Sequence, residues 1–316
     1  MTKKKKITIT AIVLSVLLVI GALVLGHFLA NREKEPDFGI KDTLADGGGK
    51  RATVILLGGQ SNAAGCSRDE YLRLYVSNGQ YAEYEAGYDN VYINYYVSGN
   101  NVSNEFVKCS TNQGEPGGYF GPELGMAQRL NDMYPDETFF IIKCAWSGSN
   151  LYQEWLSPSS PGPTGEYYTN FVEYVNTSID YLISKNYDVS IAGMCWMQGE
   201  SDSFGTDTAT DYQDRLATFV DDLRKEFADH SVEGGMAFID AYIADSVLWT
   251  HYMLLNASKK AVANMSPLNS VIDTISEGLT VTEEPASDPD LAHYDAVSEL
   301  RLGQLFVEEL LSIIIL

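Results

Sequence analysis

Val54-Ile55-Leu56-Leu57-Gly58-Gly59-Gln60-Ser61-Asn62-Ala63-Ala64-Gly65 is the stretch from which the fold is read. Residues 54–57 are consecutive apolar residues, β-rich enough for a strand buried on both faces, as strands of parallel sheets are. Two glycines and a Gln-Ser-Asn turn follow at once, without the polar filler of an ordinary loop. A Ser on a tight turn between a strand and a helix presents its hydroxyl outward, beside backbone N–H groups that lack helical partners. One loop then supplies a candidate nucleophile, Ser61, and part of an oxyanion hole. The same residues also suit a strand-to-helix turn capped by Ser or Asn, with no chemistry attached.

Further apolar strand patterns recur at 138–144, 190–197 and 236–239, with a weaker one at 270–275. Helical patterns lie between and after them, at 122–133 (Pro122 in the first turn), 167–182, 209–227 and 296–313. Strands alternating with helices imply an α/β domain whose parallel sheet is covered on both faces. Ligands of such sheets sit beyond the carboxyl ends of the strands. Ser61 follows the first such end, Ser147-Gly148 the second and Gln198-Gly199-Glu200 the third, so three polar turns converge on one rim.

Asp290-Leu291-Ala292-His293 lies after the last strand pattern and just before the last helix, where the chain can return to that rim. A carboxylate three residues before a His can hold one ring nitrogen, fix the tautomer and stabilise the imidazolium. The other nitrogen then takes the proton of a serine. A Gln at 198 has an amide that can donate to a developing oxyanion, joining the N–H groups of Ser61 and Gly148. Glu200 and Asp202 read instead as acceptors for buried loop amides.

The N-terminus reads differently. Four lysines at 3–6 precede residues 7–30, which carry no formal charge and are apolar apart from Thr8, Thr10, Ser15 and His27. That length matches a bilayer core. With lysines before it and acidic residues after it, the segment is expected to be an uncleaved signal-anchor: residues 1–6 cytoplasmic, the domain outside the cell. A cleaved signal peptide and secretion is the alternative. Residues 31–50, with Pro36 and Gly47-Gly48-Gly49, read as a flexible stalk leading to a domain over 51–316.

The chain has 21 Lys and Arg against 43 Asp and Glu, a formal net charge of −22. So acidic a surface argues against nucleic acid, and leaves the N-terminal helix as the only expected contact with membrane. Four histidines and four cysteines show neither HExxH nor CxxC spacing, so no metal or other cofactor is expected. Cys144 and Cys195 read as buried thiols. Cys66 and Cys109 lie in loop or edge context where pairing is open. Eight of the 20 tyrosines fall within 71–96. They read as packing an inserted hairpin against the sheet, some of them suited to a sugar-binding cleft.

Gly59-Gln60-Ser61-Asn62, Ser147-Gly148-Ser149, Gln198-Gly199-Glu200 and Asp290-x-x-His293 together resemble the ordered blocks of the SGNH hydrolase superfamily. Within it they are similar to the sialate O-acetylesterase-like branch, carbohydrate esterase family six, as is Phe120-Gly121-Pro122-Glu123-Leu124-Gly125. The resemblance spans Gly58 to about Leu310. It implies a flavodoxin-like three-layer α/β/α sandwich and removal of acetyl groups from glycans without a cofactor. It implies Ser61 as nucleophile, His293 as general base and acid, and Asp290 as its orienting partner. Two blocks depart from the superfamily pattern: Gln198 stands where most members have Asn, and Ser147-Gly148 where Gly-Gly is usual.

Two other functions fit parts of the sequence. One is a catalytically silent glycan-binding protein on the same fold, using the tyrosine-rich stretch. The other is a general carboxylesterase or lipase. Gly59-x-Ser61-x-Ala63 lacks the last glycine of the α/β-hydrolase elbow, and it follows the first strand of the domain rather than a late one.

Overall fold

The central strand, β1 (Arg51–Gly59), is buried from Ala52 onward, as its continuous apolar run requires. The computed structural model describes residues 36–98, 101–115 and 117–314. The expected signal-anchor, residues 7–30, and the basic segment before it lie outside them. Among the described residues no helix is long and apolar enough to cross a membrane.

β1 pairs in parallel with β7 (Phe139–Ala145) on one side and β8 (Asp188–Met197) on the other. β9 (Ala237–Ala241) and β10 (Asn269–Ile272) extend the sheet beyond β8, and β3 (Val91–Val97) extends it beyond β7, all in parallel. Two-residue strands β4 (Asn101–Val102) and β5 (Val107–Lys108) run antiparallel to β3. A separate antiparallel pair joins β2 (Ser67–Arg68) to β6 (Tyr119–Phe120). The five expected strands are β1, β7, β8, β9 and β10. The order of the parallel strands is 10-9-8-1-7-3, with β7 between β1 and β3, where a flavodoxin order would seat β3 next to β1.

Helices cover both faces, giving the three layers. On one side α4 (Pro122–Met133) crosses α8 (Ala296–Ile313) with backbones almost touching. A Cβ on Gly125 would lie 1.9 Å from the Leu300 carbonyl oxygen, and one on Gly303 1.9 Å from that of Pro122. On the other side α5 (Glu166–Ser184) and α6 (Thr206–Glu226) enclose an aromatic core. Trp155 packs edge-on to Trp196 at 4.9 Å, and Trp196 meets Phe219 at 4.7 Å. α7 (Tyr252–Ala263) packs beside α6 and was not signalled by the sequence.

Two expectations change. The tyrosine-rich stretch is not an inserted hairpin. It forms α2 (Asp69–Tyr75), α3 (Asn78–Ala86) and then β3, a full parallel strand of the sheet. The residues expected to be a free stalk pack onto the domain from Phe38 onward, and Phe38–Leu316 forms one compact unit. Phe38 is 6 % exposed, its ring 5.3 Å from both Tyr96 and Tyr174. The Tyr181 hydroxyl accepts the N–H groups of Thr43 and Leu44, and Gly47 donates to the Lys185 carbonyl. An aromatic anchor with hydrogen-bonded backbone outweighs the glycine-rich composition of 47–49.

Candidate active site

The three polar turns leave the sheet at one level, because Gly59 stands opposite Ala145 in β7 and Met197 in β8. Gly59 has φ +138, and a Cβ there would lie 1.9 Å from the Met197 carbonyl oxygen, so only glycine fits. Past it, Gln60 N–H donates to that carbonyl at 2.9 Å, and Trp146 N–H donates to the Gly59 carbonyl at 3.1 Å. The chain then turns into a single helical turn, α1 (Ser61–Ala64), with Ser61 as its first residue and only 7 % exposed. The expected strand-turn-helix setting of Ser61 is present.

His293 and Asp290 stand on the loop between β10 and α8. Asp290 Oδ2 lies 2.6 Å from His293 Nδ1, and its other oxygen accepts Ala292 N–H at 3.0 Å. Burial disfavours the imidazolium, but Asp290 and the Cys66 thiol beside the ring outweigh it and raise the His293 pKa to about 10. The hydrogen bond from His293 holds the Asp290 carboxyl below its usual range. Further along, Asp295 accepts the N–H groups of Thr282, Glu283 and Glu284, which fixes the loop where it enters α8.

Both residues line a cleft of about 370 Å³. The same cleft is lined by Arg68, with its guanidinium 5.7 and 5.5 Å from the ring centres of Tyr71 and Tyr119, and by Glu115, which accepts from the Ser147 hydroxyl. Cys66 lines it too. All four cysteines are free thiols, and Cys109, Cys144 and Cys195 are buried. Among the described residues no cluster of three or more His, Cys, Asp or Glu side chains forms a metal site.

The loop of His293 is tied to the turn of Ser61 by the neighbouring residue, Asn62. Its Oδ1 accepts Tyr294 N–H at 3.1 Å, and its Nδ2 donates to the Ala292 carbonyl at 3.3 Å and to Glu200 Oε1 at 2.7 Å. Ser61 and His293 are thus held on adjoining segments, with no hydrogen bond between their side chains among the described contacts. Gly148 is exposed with φ +71, and the N–H groups of Gly148 and Ser61 have no acceptor among the described residues.

Gln198 is not where the oxyanion reading needs it. Its side chain is fully buried, and Nε2 donates to Asp202 Oδ2 at 2.6 Å, to the Ser149 carbonyl at 3.1 Å and to Gln60 Oε1 at 3.3 Å. Its Oε1 accepts from the Tyr212 hydroxyl at 3.0 Å. With every polar atom engaged behind the turn, Gln198 braces the three strand ends from within. Asp202 behaves as expected of a loop-amide acceptor, taking the N–H groups of Leu151 and Tyr152; its burial raises its pKa to about 6. Arg68, Tyr119 and Glu115 carry no signal in the sequence, and Cys66 reads there only as a cysteine whose pairing is open. Only the β2–β6 pairing brings Arg68 and Tyr119 together, and no spacing in the chain signals it.

The model of the carbohydrate esterase, sialic acid-specific acetylesterase family matches residues 51–312. None of the curated proteins matches the chain. Among solved structures, a protein from Arabidopsis thaliana superposes with a TM-score of 0.60 at 15 % identity, over 82 % of this chain and 98 % of that one. NanS does so with a TM-score of 0.60 at 16 % identity, over 85 % and 98 %. A carbohydrate acetylesterase from Xanthomonas citri gives a TM-score of 0.52 at 18 % identity, over 81 % and 55 %. At these identities the structures speak for the fold alone, a mostly parallel α/β sheet covered by helices, while the family match covers nearly the whole domain. The chain belongs to the sialic acid-specific acetylesterase family and is a carbohydrate esterase.

Proposed function

We propose that the protein is an extracellular, membrane-anchored O-acetylesterase that removes acetyl groups from glycans through Ser61, His293 and Asp290. The observation that carries the reading is the Asp290–His293 pair, 2.6 Å apart on the wall of a cleft and tied through Asn62 to the turn that bears Ser61. The family supports the substrate class, acetylated carbohydrate. The lysines at 3–6 and the uncharged segment at 7–30 support the anchor and the outward-facing domain.

In this reading Ser61 Oγ attacks the acetyl carbonyl while its proton passes to Nε2 of His293, the nitrogen that does not face Asp290. The N–H groups of Ser61 and Gly148 hold the oxyanion. The bond from the acetyl carbon to the sugar oxygen then breaks, and His293 returns the proton to that oxygen. Water, deprotonated by the same nitrogen, attacks the acetyl-Ser61 ester; the bond from the acetyl carbon to Ser61 Oγ breaks, His293 returns the proton to Oγ, and acetate leaves. Asp290 stabilises the imidazolium in both halves. Because the resting imidazole is held toward its charged form, the base must first lose a proton, and turnover should gain as pH rises.

The test is acetate release from a panel of O-acetylated sugars set beside long-chain acyl esters. Turnover of the acetylated sugars with little on long chains is expected. Glycan binding with no ester cleavage on any member would overturn the proposal, and faster cleavage of long acyl chains would turn it into a lipase.

A further inference from the structure

We propose that Asn62 and Glu200 are positioning residues that hold His293 in register with Ser61. The proposal rests on the Ser61–His293 reading above. His293 sits on a loop without regular structure, and its partner Asp290 is half exposed, so the pair cannot fix its own place. Asn62 supplies what the loop lacks. It is 2 % exposed, next in sequence to Ser61, and its amide binds the peptide groups on both sides of His293, the Ala292 carbonyl and the Tyr294 N–H. Any shift of the His293 backbone relative to the serine turn must break one of those bonds, and the Asp290 hydrogen bond then sets the ring. Ser67 Oγ, donating to the Tyr294 carbonyl at 2.5 Å, pins the same residue from its other side.

An Asn side chain can rotate by half a turn and exchange its donor and acceptor, which would destroy this grip. Glu200 prevents it. Its Oε1 faces Asn62 at 2.7 Å and takes the Nδ2 hydrogen, which leaves Oδ1 for the Tyr294 N–H. Glu200 is 1 % exposed, and its Oε2 has no hydrogen-bond partner among the described residues. Burial pushes its pKa up, but Lys259 favours the charged form. Lys259 and Asp240, both buried and 2.6 Å apart, back the turn. Asp202, two residues on, accepts the N–H groups of Leu151 and Tyr152 on the turn after β7. Glu200 differs in that its one bond reaches the residue that grips the histidine loop.

The test uses the domain-bearing chain with Asn62→Ala, Glu200→Leu and Glu200→Gln, assayed for kcat and KM on an aryl acetate. A fluorophosphonate that labels Ser61 gives the active fraction and the labelling rate. Asn62→Ala and Glu200→Leu are expected to lower kcat about 100-fold, the order of loss produced by a displacement of about 1 Å, with KM within about 3-fold. The labelling rate should fall in parallel while the labelled fraction stays complete. Glu200→Gln, which still offers an acceptor to Asn62, is expected to recover most of that loss. Full kcat in Asn62→Ala and Glu200→Leu would overturn the proposal. So would a Glu200→Gln variant as impaired as Glu200→Leu, or a reduced labelled fraction with an unchanged rate. If Asn62→Ala fails to fold, the two Glu200 variants decide. Ser61→Ala and His293→Ala run alongside: activity surviving in those would sink the hydrolytic reading, whereas their inactivity beside an unimpaired Asn62→Ala sinks only the positioning role.

Discussion

Replacing Asp290 with Asn keeps the shape of the side chain and removes its charge, and the effect on pH dependence follows from the geometry. The His293 pKa is about 10 because Asp290 at 2.6 Å and the Cys66 thiol favour the imidazolium more strongly than burial opposes it. A general base works only when neutral, so kcat/KM of the wild type should climb with pH from neutrality toward about 10. Without the carboxylate, that limb should move down toward the ordinary histidine value of 6.5. The plateau should fall by about 10⁴-fold, because an Asn amide facing Nδ1 favours the wrong tautomer. The assay is kcat/KM on a soluble acetylated sugar from pH 5 to about 10.5, with Asp290→Asn beside wild type. A limb that stays in place, or moves upward, would refute the assignment of the titrating base to His293. The pair also contributes stability with a definite sign. Asp290, with its pKa lowered, contributes above its ordinary value of 3.8 and loses that contribution as pH falls below it. His293, with its pKa raised, contributes below 6.5 and loses its share as pH rises through about 10.

Other predictions concern the scaffold. Lys143, wholly buried, holds Glu123 at 2.7 Å, so Lys143→Met would strand a buried carboxylate close to the unpartnered oxygens of Glu299. It should cost about 3–5 kcal/mol in urea unfolding, and a loss below about 1 kcal/mol would show the charge to be satisfied otherwise. Gly59→Ala combines backbone at φ +138 with a 1.9 Å approach to the Met197 carbonyl, and should cost about 2–5 kcal/mol or prevent folding. At Gly148, with φ +71 and nothing within 4 Å of an added Cβ, the same change should cost only about 1–2 kcal/mol, read by the same unfolding curves. Equal losses at the two glycines would mean that the Gly59 contact relaxes.

The legible parts of the fold were those where one physical demand decides the residue. The run at 54–57 is apolar because β1 is covered on both faces, and α4 and α8 begin and end where Pro122 and the apolar spacing of 296–313 place them. α7 was not legible because polar residues share its inner face: Asn256, Ser258 and Lys259 are buried beside Leu255 and Val262, while Met253 is 72 % exposed. Lys259 is inside because Asp240 waits for it, a partner nineteen residues away that no periodicity reveals. β3 was hidden in the tyrosine-rich stretch by Asn94, which is buried and bonded to Ser178 and Ser103. At the candidate site the residue types of Ser61, Asp290 and His293 carry their own chemistry, so they could be named in advance. Gln198 has the right chemistry for an oxyanion donor, but sequence does not show which way a side chain points. Asp202 and Tyr212 draw it inward. Asn62 and Glu200 meet across 138 positions and were legible only as parts of motifs.

The central claim is that Ser61 performs the chemistry, and the most direct test is acetate release from one acetylated sugar by wild type and Ser61→Ala at matched concentration. With folding confirmed by identical unfolding curves, Ser61→Ala should lose about 10³-fold or more in kcat, leaving only what binding and the backbone N–H groups supply. Turnover by Ser61→Ala within about 10-fold of wild type would contradict it, since a nucleophile cannot be removed so cheaply.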